Sequence, residues 1–187
     1  LRGFSNHADY VAELVRAYMH QQYQEAAYTS GYRVYTTLDS SHQQAAYEAL
    51  RRGVMDSDRR RGYRGAEKWV TLPKAGDKPE EVLEDALQEI PDSDELQAAI
   101  VLSASMREVK AFKRGGDVIS ISGEGLKFAQ RALSDTFPEK QRLRPGAVIR
   151  VVQDVKGRWS ISQMPSVEAA FVSVEPDSGA VKALVGG

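Results

Sequence analysis

Val11, Leu14, Val15 and Tyr18, with Gln22 closing the row, recur at helical spacing and leave a polar back. The spacing predicts an amphipathic helix from a Ser5 or Asn6 cap to about residue 23, followed by a break over 26–30 that ends at Gly31. Residues 32–38 then alternate. Tyr32, Val34 and Thr36 fall on one face and Arg33, Tyr35 and Thr37 on the other, which predicts a strand. Asp39, Ser40 and Ser41 offer cap oxygens for a second helix over 43–52, with Ala45, Ala46, Ala49 and Leu50 on its buried side and Gly53 as its stop. Asp77 and Glu80 have capping-box spacing, and Pro79 suits a first helical turn. Val82, Leu83, Ala86, Leu87 and Ile90 supply the apolar stripe of a short helix ending before Pro91.

From Leu96 the period shortens. Strands are predicted over 98–103, 108–114 and 118–122, with Gly115-Gly116-Asp117 as a hairpin signal. Gly123-x-Gly125 reads as a turn entering a short helix over 126–133. Two more strands follow Pro145-Gly146, over 148–155 and 159–163, joined at Lys156-Gly157. The last stretch is a hairpin: apolar arms 170–175 and 180–185 flank Pro176-Asp177-Ser178-Gly179, a turn with preset φ at its proline and left-handed freedom at its glycine. The second arm is nearly all apolar and should lie deep in a sheet; without covering helices it would be an aggregation liability.

Composition narrows the function. The chain has 187 residues, 42% hydrophobic and 27% charged, a globular balance that allows one ordinary domain or a small one with flanking pieces. A net charge of −1 gives no reason to expect a polyanion partner. Single-stranded nucleic acid also wants a basic groove with aromatics on successive strands, and these strands offer only Phe112 and Trp159, so no nucleic-acid partner is expected. The absence of cysteine excludes disulfides, thiolate zinc sites and cysteine nucleophiles. No apolar run approaches the ~20 residues that span a bilayer, and no signal peptide opens the chain. A start at Leu1 in place of methionine suggests a processed or excised piece.

Four segments carry a resemblance: AAFVSVEPDSGAVKALVGG (169–187), the strand-then-helix pattern of 31–52, RGYRG (61–65) and WSISQMPSVEAA (159–170). Taken in their order along the chain, they resemble the class A penicillin-binding proteins, of the Gram-negative 1A type. These are bifunctional glycosyltransferase/transpeptidases that polymerise and cross-link peptidoglycan, anchored in the bacterial inner membrane and facing the periplasm. The resemblance covers the region between the family's two catalytic centres. It implies an α+β fold: residues 1–54 as a linker helix plus a strand and helix associated with the transpeptidase domain, 55–165 as an OB-like docking domain, and 166–187 as the first hairpin of the transpeptidase domain. Five short strands with one helix after the third is the order of a small OB-like barrel. Strand spacing alone leaves other arrangements open, and the resemblance points to the barrel.

Neither of the family's active sites is expected in this piece. No serine has lysine three residues later, and the supporting Ser-x-Asn and Lys-Thr-Gly motifs are absent. Glu84-Asp85 continues as Ala86-Leu87-Gln88, unlike the glycosyltransferase glutamate motif. His7, His20 and His42 lack metal-ligand spacing, so no metal or cofactor is expected. Gly123-x-Gly125 lacks the third glycine and the βαβ setting of a dinucleotide loop. Glu80 and Glu84, one helical turn apart on an acidic face, suit solubility better than acid–base catalysis. The basic run at 59–64 and the acidic run after it read first as solvated faces.

By resemblance, the partner is an outer-membrane lipoprotein activator that docks on the OB-like domain. Arg60, Arg61, Tyr63, Arg64 and Trp69 are the candidate contact patch, since arginine beside aromatics is the usual composition of interface hot spots. Tyr63 and Arg64 could instead lock the module's own loop. Binding of peptidoglycan glycan strands and a passive spacer between catalytic domains are the alternatives. The oligomeric state is not readable from the residues.

Overall fold

A computed structural model describes residues 7–186. The chain forms two compact units: Leu1–Arg60 with Pro165–Gly187, and Arg61–Met164.

The first unit holds helix α1 (Asp9–Tyr23), the single turn α2 (Ala26–Thr29) and the long helix α3 (Ser40–Arg60). Ser5 and Asn6, expected as caps, lie outside the described residues; the residue preceding α1 is Ala8, which makes no side-chain cap. The expected apolar stripe of α1 is not buried. No residue of that helix is buried and Tyr18 is 62% exposed. Residues 31–39 form no strand. They run beside the final hairpin through two isolated bonds, Thr37 Oγ1 to the Val181 carbonyl (2.7 Å) and Asp39 N–H to the Lys182 carbonyl (2.9 Å).

α3 also departs from expectation, passing straight through Gly53. An interior glycine costs a helix only about 1 kcal/mol relative to alanine, and the flanking residues continue the helix until Gly62, whose φ of +88° ends it. At the other end Asp39 Oδ1 accepts from the Ser41 and His42 N–H groups at 2.9 and 3.0 Å.

The terminal hairpin forms as β7 (Phe171–Val174) and β8 (Val181–Val185), with Gly179 at φ +72°. The second arm does not lack a covering helix. Ala183 and Val185 are buried against Ala46 of α3, with Tyr47 and Leu50 beside them. Phe171, Val172 and Val174 on the first arm are the exposed ones. The buried Gln43 side chain fixes α3 on this hairpin: Nε2 donates to the Leu184 carbonyl and Oε1 accepts the Leu184 N–H, both at 2.9 Å. One amide thus pairs the donor and acceptor that a neighbouring strand would otherwise satisfy.

The second unit is a twisted antiparallel sheet with a helix on one face and a 3₁₀ helix on the other. Its strands are β1 (Lys68–Trp69), β2 (Gln97–Ala104), β3 (Glu108–Lys113), β4 (Val118–Ser122), β5 (Ala147–Gln153) and β6 (Trp159–Ser162). β1 and β6 lie end to end along one edge of β5, and β2, β3 and β4 follow on its other side. β2 and β5 are central and buried on both faces, which accounts for their near-continuous apolar runs. Ala99, Val101, Ala147, Ile149 and Val151 pack towards the 3₁₀ helix Gly123–Leu133. Ala98, Ile100, Phe112 and Val148 pack towards Leu83 and Leu87 of α4 (Pro79–Gln88). Burying each of the valine, isoleucine, leucine and phenylalanine side chains among them contributes roughly 1.5–3 kcal/mol.

Two expectations change here. The barrel of five strands is an open sheet of six, since among the described residues no ladder joins β4 to β6. The 3₁₀ helix sits against both strands: a Cβ on Gly125 would lie 2.3 Å from the Trp159 carbonyl oxygen and 2.9 Å from Ile121 Cγ2. The capping-box reading of Asp77 and Glu80 also gives way. Lys78 occupies the cap position without a side-chain bond, while Asp77 Oδ2 accepts the Lys74 N–H at 2.7 Å.

The Asp39 cap gives a pH prediction. Bonds from the Ser41 hydroxyl, the His42 N–H and the Ser41 N–H hold its carboxyl down at about 2. A depressed acid contributes stability that is complete above its unfolded value near 3.9 and is lost as pH falls through the folded value. The amide signals of Ser41 and His42 should therefore titrate with a midpoint near 2, and Asp39→Ala should abolish that titration in an NMR pH series.

Candidate functional site

Among the described residues no catalytic constellation stands out, and the site is built from the segment that carries the sequence-derived patch. Residues 61–67 form a strap into the sheet of the second unit. Gly65 permits its path: φ is +104°, and a Cβ there would come within 2.4 Å of the Gln141 carbonyl oxygen. Gln163, buried just after β6, grips the strap in both directions. Its Nε2 donates to the Gly62 carbonyl (3.1 Å) and its Oε1 accepts the Arg64 N–H (3.0 Å). Arg64 Nη2 donates in turn to the Met164 carbonyl. The incoming and outgoing chains of this unit are thus tied together within a few residues of its boundary.

The strap is anchored further in by charge. Arg150, in the middle of β5 and only 4% exposed, makes a bidentate pair with Glu67: Nε to Oε2 at 2.7 Å and Nη2 to Oε1 at 2.6 Å. Its third nitrogen donates to the Pro91 carbonyl at 2.7 Å, on the segment between α4 and β2. A buried guanidinium stays charged and needs this degree of satisfaction. Under the strap lies a cavity of about 140 Å³, lined among others by Tyr63, Glu67, Arg150 and Gln163.

The five patch residues fall in different settings. Arg60 ends α3 in the first unit, and Arg61 begins the second; both side chains are exposed. Tyr63 packs edge-on against Phe128 at 5.4 Å and contributes to the main core. Burial, and secondarily the Glu67 charge, push its phenol well above the usual tyrosine range, with Arg64 acting the other way. Arg64 holds Met164, as described. Trp69, on β1, keeps about a third of its surface accessible. Its Nε1 donates to the Lys140 carbonyl (3.3 Å), and the Arg144 guanidinium stacks 4.8 Å from its ring. Tyr63 and Arg64 therefore brace the strap, while Trp69 with Arg144 forms a separate exposed cation–π pair.

Two of the other singled-out groups have structural partners. His7 stacks on Tyr47 at 3.5 Å. The Glu84 carboxylate accepts the Gly115 N–H at 3.1 Å, tying α4 to the β3–β4 turn. Among the described residues no group of three or more His, Asp or Glu could hold a metal, and no helix is long and apolar enough to cross a membrane.

Residues 63–167 match the penicillin-binding protein OB-like domain. The chain belongs to this family. Over its whole length it is 39% identical to penicillin-binding protein 1A of Neisseria gonorrhoeae, of which it covers 23%. It is also 39% identical to penicillin-binding protein 1A of Escherichia coli (strain K12), across 96% of this chain and 22% of that protein. The crystal structure of penicillin-binding protein 1A from Haemophilus influenzae aligns with 98% of the chain at TM-score 0.79 and 30% identity, and the chain covers 26% of it. The chain thus spans about a quarter of the length of these relatives.

Four residues that organise this OB-like domain and its flanks escaped the sequence reading: Glu67, Arg150, Gln163 and Asp58. Arg150 carried a signal, because a lone cation inside Ala147-Val148-Ile149-Arg150-Val151-Val152 must find a buried partner. Nothing in the sequence named that partner as Glu67, 83 positions away.

Truncating Arg150 removes charge-assisted bonds to Glu67, whose side chain keeps about a third of its surface accessible, and the donor to the Pro91 carbonyl. Arg150→Ala should lower the stability of the OB-like domain by about 2 kcal/mol, and Arg150→Met combined with Glu67→Gln should recover much of the loss. Urea unfolding followed by tryptophan fluorescence measures this selectively, since Trp69 and Trp159, the chain's only two tryptophans, both lie in that unit.

Proposed function

We propose that this chain is the non-catalytic docking and regulatory region of a bifunctional cell-wall synthase, a protein that polymerises and cross-links peptidoglycan from the periplasmic face of the inner membrane. In this reading the OB-like domain receives an outer-membrane lipoprotein activator. The observation that carries the proposal is the pair of cross-ties on the connecting segments. Within the OB-like domain, Gln163 and Arg64 bind the incoming strap to the outgoing strand. Within the other unit, Asp58 near the end of α3 accepts the N–H and hydroxyl of Ser166 at 3.1 and 3.3 Å. A force applied to the OB-like domain therefore reaches both connections together instead of slackening one. That is the mechanical requirement for a docked partner to bias a neighbouring catalytic domain. The exposed apolar residues of the first unit, including Tyr18, Tyr35 and Val172, are the surfaces by which it would pack on the rest of such a synthase.

An NMR titration of the labelled chain with the periplasmic part of its cognate lipoprotein tests docking. Saturable shifts confined to 61–164 are expected; no shifts at high concentration would overturn the reading and leave glycan contact or a spacer. In the full-length synthase, Gln163→Ala should keep activator affinity within about twofold while lowering the stimulation of cross-linking several-fold, because coupling and binding are separable free energies.

A further inference from the structure

A groove of about 450 Å³ opens on the OB-like domain between the β2–β3 turn and the segment after the 3₁₀ helix. Met106 forms one wall, and Phe137 and Pro138 the other, with Gln130, Arg131, Ser134 and Thr136 around them. Met106 is 48% exposed at the apex of its turn, an unusual place for a thioether unless it meets something apolar.

Both walls are held in place. Ser105 fixes the turn: its N–H donates to the Glu108 carbonyl (2.9 Å), and its hydroxyl oxygen accepts the Arg107 and Glu108 N–H groups (3.3 and 3.1 Å). Opposite, Arg142 donates to the carbonyls of Asp135 and Phe137 at 2.7 and 3.1 Å and to the Asp135 carboxylate at 3.0 Å. Preformed walls spare a ligand the ordering cost of shaping them.

The acids around the groove are engaged, Glu108 by the Ser120 hydroxyl at 2.6 Å. Asp135 is committed to Arg142, and Glu139 to Arg144. Glu124 is committed to Lys127. The side chains of Arg131, on the groove, and Arg107, next to Met106, make no hydrogen bond or ion pair among the described residues. On a chain whose net charge is −1, this is a local basic rim on an apolar floor.

We infer that this groove docks a protein segment presenting one apolar side chain with a carboxylate close beside it in sequence. The apolar group fills the space between Met106 and Phe137, and the carboxylate meets Arg131. The inference deepens the docking reading and rests on it, assigning the partner contact to this groove and not to the strap.

The probe is an amidated hexapeptide, Gly-Leu-Glu-Phe-Asp-Gly, titrated into the labelled 187-residue chain. A counterpart with lysine at both acidic positions serves as control, and chitotetraose as the glycan arm. Expected are saturable shifts at Met106, Arg131, Thr136 and Phe137 for the acidic peptide alone, weakening as salt rises. Arg131→Glu should reduce affinity about tenfold and restore binding to the lysine peptide. Absence of shifts, shifts centred elsewhere, equal binding of the lysine peptide, or chitotetraose occupying the groove would each overturn the assignment. The peptide reads the groove alone and the lipoprotein titration reads docking, so each can fail without the other.

Discussion

The OB-like domain depends on a charge placed where charges are expensive. Arg150 stands on a strand buried on both faces, so its guanidinium can persist only by gathering partners from two separate stretches: Glu67 on the strap and Pro91 after α4. Apolar packing alone would hold α4 and the 3₁₀ helix on the sheet without specifying how a seven-residue strap should cross it. The ion pair supplies that direction. A guanidinium–carboxylate pair rewards one geometry, the bidentate one, whereas hydrophobic burial tolerates many. Gly65 completes the specification by allowing the strap to press on Gln141 where any side chain would collide.

The two units illustrate different ways of closing a sheet edge. In the OB-like domain β5 carries two short strands on one edge, and the 3₁₀ helix fills the gap where a barrel would otherwise close. In the other unit a side chain does the work of a strand: Gln43 offers Leu184 the donor and acceptor that a peptide group would use, at hydrogen-bond distance. A glutamine in a helix is free to do this only if the helix register is correct, so the same contact fixes the rotation of α3 about its axis.

Legibility followed the range of the forces involved. Five of the six strands of the OB-like domain, the α4 stripe and the hairpin turns are local patterns, and the sequence placed them within a few residues, whereas the two-residue β1 was missed. The outcome was poorer wherever a distant partner decided. Residues 32–38 have strand composition but form no ladder. The α1 stripe has helical spacing but remains exposed. Gly53 looks like a stop yet lies inside a helix that continues to Arg60. Composition drew attention to the segment of the candidate patch, where Tyr63 and Arg64 are engaged in bracing the strap. The groove at Met106 and Arg131 had no sequence signal, since its two walls are about thirty positions apart and meet only in the fold.

Asp58 and Ser166 have a consequence for how such a chain could have been assembled. Their contact brings the two cut ends of the first unit to within a hydrogen bond of each other across 108 positions. Seen from that unit, the whole OB-like domain is a loop insertion with a closed neck, and a connection of about 2–5 residues, the length that joins neighbouring elements elsewhere, would span the gap. A domain mounted this way is exchangeable. It can be lost, enlarged or replaced by another without disturbing the helix and hairpin that hold the neck shut, so its own surface is free to diverge while those two elements stay the same.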